Sequence, residues 1–469
     1  VIQGQLTARR WGALAVLGMA QLMVVLDATI VNIALPSAQR GLGMSDADRQ
    51  WVITAYALAF GGLLLLGGRV CDLLGRRQAL VIALLGFAAA SVVGGAAASG
   101  GVLVAARALQ GVFAALLAPA ALALLNTIFS RPDERALAFG VYGALSGAGA
   151  TVGLLAGGVL TEFLSWRWCL YVNVPIAVLA LLAARWTMPK VVRDPKVRID
   201  SLGAVLGCGG LVLLVYALGI AEHGDWLNPW LLFLFGLGVV LLGLFGWRQR
   251  LAANPLLPPR ILADRDRAGA LLAVLLSNVA QFGFFLFVTY YVQDVLGYSP
   301  VVAGLSFLPL AGGIVIGSSV LARRLLPRIG ARGVLVPGLL STALGMGWLV
   351  TLQPESGYLV PLLPAQILIG VGLGCAMMSA MSTATARVAE EDAGVAAASV
   401  NAAQQIGGSM GTALLNSIAI SVAAAGTGPD AVVHGYTTAI AVAAGILVLA
   451  ALVVAGMLPR TRAAEHVAG

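Results

Sequence analysis

The sequence predicts an all-α polytopic membrane protein, built as two six-helix bundles with a two-helix hairpin inserted between them. Three observations carry this. The 469 residues are 60% hydrophobic and only 10% charged, with a mean hydropathy of +0.95, whereas a soluble domain is about one quarter charged. The apolar residues fall into fourteen runs of about 20 residues, the length of a bilayer-crossing helix. A transmembrane β-barrel would instead show alternating segments of about 10 residues. Finally, the basic residues collect on one side of those runs, as they do in membrane proteins of fixed orientation.

The runs lie at approximately 11–35, 50–70, 79–98, 101–125, 137–160, 168–187, 201–221, 228–247, 268–292, 301–322, 333–352, 358–382, 397–422 and 435–457. An even number of crossings puts both ends of the chain on one face. Of 28 Lys and Arg residues, 24 fall in loops on that face, 3 on the other (Arg40, Arg49 and Arg167), and 1, Arg107, inside a run. This bias places both termini in the cytoplasm. The most charged connections, 188–200 and 248–267, bracket the seventh and eighth runs. The expected division is therefore an N-terminal bundle over 1–187, an inserted hairpin with cytoplasmic linkers over 188–267, and a C-terminal bundle over 268–469.

Several classes are excluded. The formal charge of +8 sits in one set of loops, so nucleic acid is not an expected partner; the lipid bilayer is. Cys71, Cys169, Cys208 and Cys375 show no metal or redox spacing. His223, His434 and His466 fall in or beside loops, which argues against an intramembrane metal or acid–base enzyme. A phosphate-cradling Gly-x-x-x-x-Gly-Lys loop is missing, so ATP drive is not expected, and no filter-like loop suggests a channel. The first run is too long for a cleavable signal and lacks a cleavage site. The chain opens on Val1, and a processed or trimmed start is expected. Arg outnumbers Lys 26 to 2, which fits a GC-rich bacterial genome and hence a bacterial cytoplasmic (inner) membrane.

In the first run, WGALAVLGMAQLMVVLDATIVNIALP (11–36), one carboxylate stands at membrane depth: Asp27. Such a group costs about 2.5–3.5 kcal/mol on insertion scales and marks a functional site or a buried partner. The one candidate partner inside a run is Arg107 in the fourth. Arg107, Gln110 and Gly111 share a helical face. Burial favours the neutral form of Asp27 and a neighbouring guanidinium favours the ionised form, a balance that suits reversible protonation. The alternative is a salt bridge that only fixes helix packing.

The loop after the second run reads GGRVCDLLGRRQAL and the loop after the tenth GSSVLARRLLPRIGAR, a weak internal repeat. In the first copy, Gly68 is followed four residues on by Asp72, then by Gly75, Arg76 and Arg77. This spacing resembles the signature of the major facilitator superfamily. Further stretches are similar to its fourteen-span drug:proton antiporter family. They are LDATIVNIALP (26–36), LVAARALQGVFAA (103–115), WRWCLYVNVPI (166–176) and YVQDVLGYSPVVAGLSFLP (291–309). The resemblance covers nearly the whole chain.

That resemblance implies a major facilitator fold and proton-coupled efflux of lipophilic drugs or antibiotics by alternating access. Asp27 and Arg107 would couple to protons, and Gly68, Asp72, Gly75, Arg76 and Arg77 would form a gating loop. In the fifth run, Gly149, Gly153, Gly157 and Gly158 match the antiporter-type packing face, but Leu154 stands where the family has proline, so the proline break is not expected. A substrate cavity is expected among Asn32, Gln110, Asn278, Gln281, Phe285, Met377, Met381, Asn401 and Gln404, with Met378 and Gln405 beside them. Amides and adaptable Met side chains suit a small lipophilic or cationic substrate; each also fits ordinary helix packing. No cofactor is expected beyond the proton as coupling ion, and a monomer is expected. The alternatives left open are a symporter, or a dedicated exporter of one endogenous metabolite, lipid or natural product.

Overall fold

In a bilayer every backbone N–H and C=O must be satisfied within the chain, and long apolar runs meet this as helices. The computed structural model describes residues 2–129, 132–188, 200–220, 228–252, 255–257, 259–385 and 393–459. Among them the order is α1 (Ile2–Leu42), α2 (Asp46–Leu74), α3 (Arg76–Gly95), α4 (Gly100–Ile128), α5 (Pro132–Phe163), α6 (Trp168–Tyr171), α7 (Asn173–Thr187), α8 (Ser201–Ile220) and α9 (Pro229–Leu251). Then come α10 (Pro259–Ala263), α11 (Arg265–Tyr290), α12 (Pro300–Leu305), α13 (Leu308–Val315), α14 (Arg323–Leu349), α15 (Leu362–Thr385), α16 (Ala393–Ala423) and α17 (Gly428–Met457). Two π-helical stretches, Tyr291–Val295 and Ile316–Ala322, extend α11 and join α13 to α14.

Polar caps set several starts. Ser45 accepts a hydrogen bond from the amide of Asp48, Ser99 from Val102 and Asp264 from Arg267, each satisfying a helical N–H that has no partner in its own helix.

Among the described residues, 11 helical stretches are long and apolar enough to cross a membrane. Fourteen runs were expected from the sequence, and the difference is local. One stretch, Pro300–Leu349, covers the tenth and eleventh runs together, and the second and fifth runs lie in α2 and α5. The apolar outer surface is extensive: Leu179, Trp186, Phe233, Trp247, Leu344 and Leu452 are all exposed, as suits lipid rather than water.

The chain divides into two compact units. The N-terminal unit holds 1–208 with 252–256 and 299–305; the C-terminal unit holds 209–251, 257–298 and 306–469. Each repeats one packing pattern. In the first, α1 packs on α5 and α7, α4 on α2 and α3, and α3 on α7; in the second, α11 packs on α16 and α17, α15 on α13 and α14, and α14 on α17. Small residues make these approaches possible. A Cβ on Gly111 would stand 2.5 Å from the Tyr56 carbonyl oxygen, and one on Gly345 2.8 Å from that of Ala365.

The inserted pair straddles this division. Cys208 at mid-α8 donates to the Gly62 carbonyl in the N-terminal unit at 2.9 Å. Further along, Gly210 and Gly238 let α8 and α9 approach, each within 3.1 Å of the other's carbonyl oxygen if a Cβ were added. Most of the linker preceding α8, residues 189–199, lies outside the described residues.

The two basic loops share a backbone device. Gly75, between α2 and α3, has φ +87°, and Gly330, inside α14, has φ +71°. Both are left-handed conformations that only glycine adopts cheaply. Arg76 then binds the Ala123 carbonyl (3.2 Å) and the Thr127 hydroxyl near the end of α4, and Arg332 binds the Leu458 carbonyl (3.3 Å) at the end of α17. In each unit an arginine thus caps the negative end of a neighbouring helix.

Candidate functional site

Five helices of the N-terminal unit converge on Asp27, which is 0% exposed. From α4, Arg107 forms an ion pair with Asp27 Oδ2, while its Nη1 also donates to Gln110 Oε1 at 2.8 Å and its Nε to the Val52 carbonyl of α2 at 3.2 Å. The guanidinium lies over the Tyr56 ring, 4.2 Å from its centroid, a cation–π contact that strengthens when water is excluded. Gln110 Nε2 donates to Asp27 Oδ1 (3.0 Å) and to Ser91 Oγ of α3 (2.8 Å). At the start of α7, Asn173 Nδ2 donates to the same Asp27 Oδ1 at 2.7 Å and reaches Ser91 Oγ at 3.3 Å. Every member of this network is buried.

The spacing explains the assembly. Arg107 and Gln110 sit one turn apart on α4, so both reach across to α1. Gly111, beside them, lets α4 close on α2 at Tyr56. The charges are paired and almost fully hydrogen-bonded, the condition under which a buried ion pair is tolerated. One group has no partner: Asn173 Oδ1 is buried without a hydrogen bond.

Sequence reasoning brought Asp27, Arg107 and Gln110 together but missed Ser91, Tyr56 and Asn173. Asn173 carried a usable signal, an amide inside the stretch WRWCLYVNVPI; a serine and a tyrosine in apolar helices carry none. Asn32 is buried on α1.

In the basic loop, Arg76 caps α4 as described, Arg77 reaches the Arg185 carbonyl near the end of α7 at 3.5 Å, and the Asp72 side chain lies outside the described residues. A Cβ on Gly68 would meet only Pro119 at 3.9 Å; the close approach is made by its neighbour Gly67, against the Ala115 carbonyl.

The α5 glycines take two faces. A Cβ on Gly149 would meet Leu22 at 3.1 Å, one on Gly157 the Ile30 carbonyl oxygen at 2.8 Å, and one on Gly153 would meet Thr29, so these three hold α5 against α1. Gly158 instead faces α12, 2.6 Å from the Pro300 carbonyl oxygen by the same measure, and Gly304 of α12 answers at 2.7 Å from that of Leu154. Leu154 is buried in an uninterrupted α5. Glu162 seals this contact by accepting a hydrogen bond from the Val301 amide at 2.9 Å.

The C-terminal candidates come together only in part. Gln404 Nε2 of α16 meets Met377 Sδ of α15 at 3.4 Å. Asn278 Nδ2 turns back to the Val274 carbonyl of its own helix at 2.8 Å. Phe285 packs in an aromatic cluster with Phe284 and Phe307, with centroids 5.7 and 5.6 Å away. Gln281, Asn401 and Gln405 are half-buried, and Met378 and Met381 are exposed. Among the described residues no cluster of His, Cys, Asp or Glu could hold a metal ion.

A polytopic helical protein of two repeated bundles, with one buried acid paired to one buried arginine, has the build of a membrane transporter. The family model described as the Major Facilitator Superfamily matches residues 17–412, and the chain belongs to that family. It is 57% identical to the puromycin resistance protein pur8 of Streptomyces alboniger, over 98% of this chain and 93% of that protein. It is 38% identical to the cephamycin export protein CmcT of Amycolatopsis lactamdurans, over 84% and 82%. Among solved structures, an auto-inhibited POT-family peptide transporter superposes with a TM-score of 0.70 at 15% identity, covering 98% of this chain and 99% of that one. That likeness speaks to the fold.

Proposed function

We propose that this transporter exports lipophilic or cationic antibiotics in exchange for protons, by alternating access of its two units. The observation that carries the reading is the buried Asp27–Arg107 pair with its hydrogen bonds from Gln110 and Asn173. Among the described residues, a carboxylate so placed is an acid at membrane depth suited to hold and release a proton. Protonation neutralises it, Arg107 is left with an uncompensated charge, and the pair's energy changes by the large amount that buried charges command. That change can be linked to substrate binding, directly or through the helices that hold the pair. The proton is the coupling ion. The packing pattern repeated within each unit supports a carrier, and Asn32, Gln281, Phe285, Met377, Met381, Asn401 and Gln404 are the residues proposed to contact its substrate. The sidedness of Lys and Arg supports cytoplasmic termini in a bacterial inner membrane, and nothing in the proposal needs more than a monomer.

The relatives named for puromycin resistance and cephamycin export support antibiotics as the substrate class. Because each name specifies one compound, export of a single natural product is the second reading. The test is substrate-induced proton release from purified protein, wild type beside Asp27→Asn, over a panel that includes puromycin and lipophilic cations. Release in the wild type and none in the variant is expected. Wild-type release that survives in Asp27→Asn would remove Asp27 from the coupling step, and binding without release would point to a different coupling mode.

A further inference from the structure

The amide of Asn173 is placed differently from every other partner of Asp27. Gln110 also offers a carboxamide, but both its ends are committed: Oε1 accepts from Arg107, and Nε2 donates to Ser91 and Asp27. Turning it over would break all three bonds. Asn173 has only its Nδ2 engaged, on Asp27 Oδ1 and Ser91 Oγ, while its Oδ1 is buried with no partner. A buried acceptor left unsatisfied calls for an explanation, and rotation of this amide costs nothing at its oxygen.

We propose that Asn173 is the positioning residue that follows the protonation state of Asp27, turning its carboxamide over when the proton arrives. The inference rests on the proposed role of Asp27 as proton carrier. With Asp27 ionised, Asn173 donates N–H to Oδ1, as observed. When a proton adds to Oδ1, the carboxyl becomes a donor there: its oxygen keeps the N–H of Gln110 and needs an acceptor in place of the N–H of Asn173. A half-turn about the Asn173 Cβ–Cγ bond brings Oδ1 into the same place, where it accepts the new O–H. Ser91, a hydroxyl that donates or accepts, reverses with it. The ionisable groups facing Asp27 are Arg107 from α4, Tyr56 from α2 and Cys169 from α6. None is an acceptor poised for that proton, and α5 meets α1 through glycines. The amide thus gives both states of the acid a hydrogen bond with no main-chain movement.

Infrared difference spectroscopy of reconstituted protein across a pH step reads both groups. The wild type should show a protonated-carboxyl band that is lost in Asp27→Asn. In protein labelled with ¹⁵N-asparagine, an isotope-sensitive side-chain amide band should appear in the same difference spectrum. That amide band should vanish in Asn173→Leu and in Asn173→Gln, which keeps a carboxamide without the label, and the carboxyl band should shift in Asn173→Leu. A carboxyl band from Asp27 with no labelled-asparagine band in the wild type overturns the role of Asn173, and needs no variant of that residue to fold. A wild type with no titrating carboxyl band overturns instead the reading of Asp27 on which the inference rests.

Discussion

Asp27 and Asn173 are 146 positions apart in the chain, yet the amide nitrogen of one stands 2.7 Å from the carboxylate of the other. The contact joins α1 to α7 within the N-terminal unit. Because α7 begins at Asn173, the side chain is delivered where the preceding turn, α6, docks against α3 and α5. The hydrogen bond therefore depends on the whole bundle being closed, and any change that lifts α7 from α1 removes a donor from the carboxylate.

Removing Arg107 should be far costlier than removing the pair. Arg107→Ala leaves Asp27 buried and uncompensated, a loss of about 3–5 kcal/mol for such pairs. The double variant Asp27→Asn with Arg107→Leu should recover most of that stability while remaining inactive. Thermal unfolding in detergent checks this; equal melting temperatures for Arg107→Ala and the double variant would contradict it.

The glycines of α5 should rank by what faces them. Gly157→Ala places a methyl 2.8 Å from a main-chain oxygen of α1, which cannot yield without moving the helix, and about 1–3 kcal/mol of destabilisation is expected. Gly62 in α2 has nothing within 4 Å of its missing Cβ, and Gly62→Ala should be neutral or stabilising, by up to about 1 kcal/mol. The melting temperature of Gly157→Ala should fall while that of Gly62→Ala holds or rises.

The contact between α5 and α12 should loosen in acid. Hydrogen bonds from the Ser299 hydroxyl and then the Val301 amide hold the Glu162 carboxyl below the ordinary carboxylate range. A depressed carboxylate stabilises above its ordinary value, about 4.3, and loses that contribution as pH falls through the lowered one. Spin labels at Val159 and Val302, both exposed, should keep one narrow separation at neutral pH and a broader one below pH ~4. Glu162→Gln should be broad throughout; a narrow, pH-independent separation in that variant would show that the glutamate does not hold the contact.

The proposed orientation is open to a direct check. Cysteines placed at Arg9 and at Glu355 should react with a membrane-impermeant maleimide from opposite sides of the membrane, Glu355→Cys in intact cells and Arg9→Cys only after lysis. The reverse pattern would invert the topology.

The helices were legible because a bilayer allows an apolar run of such length few other forms, and the pair of Asp27 and Arg107 because charges inside apolar runs are conspicuous. Ser91 and Tyr56 were not, since either residue is commonplace in a membrane helix and only packing gives it a partner. Gly67 illustrates the limit of motif reading: the repeat drew the eye to Gly68, while the main chain of α4 comes closest one residue earlier. The π-helical stretches Tyr291–Val295, which extends α11, and Ile316–Ala322, between α13 and α14, follow no rule read from the sequence. Asn278 is expected on a cavity face it shares with Gln281; the donation of its amide to the Val274 carbonyl of its own helix is a contact invisible without coordinates.

The hydrogen-bond partners of Asp27 among the described residues all belong to the N-terminal unit. A lineage is therefore free to accumulate substitutions throughout the other unit without removing any of these hydrogen bonds. Inheritance of the charged centre and diversification of the rest can proceed on separate halves of one gene, and new cargoes need not be negotiated against the residue that holds the charge.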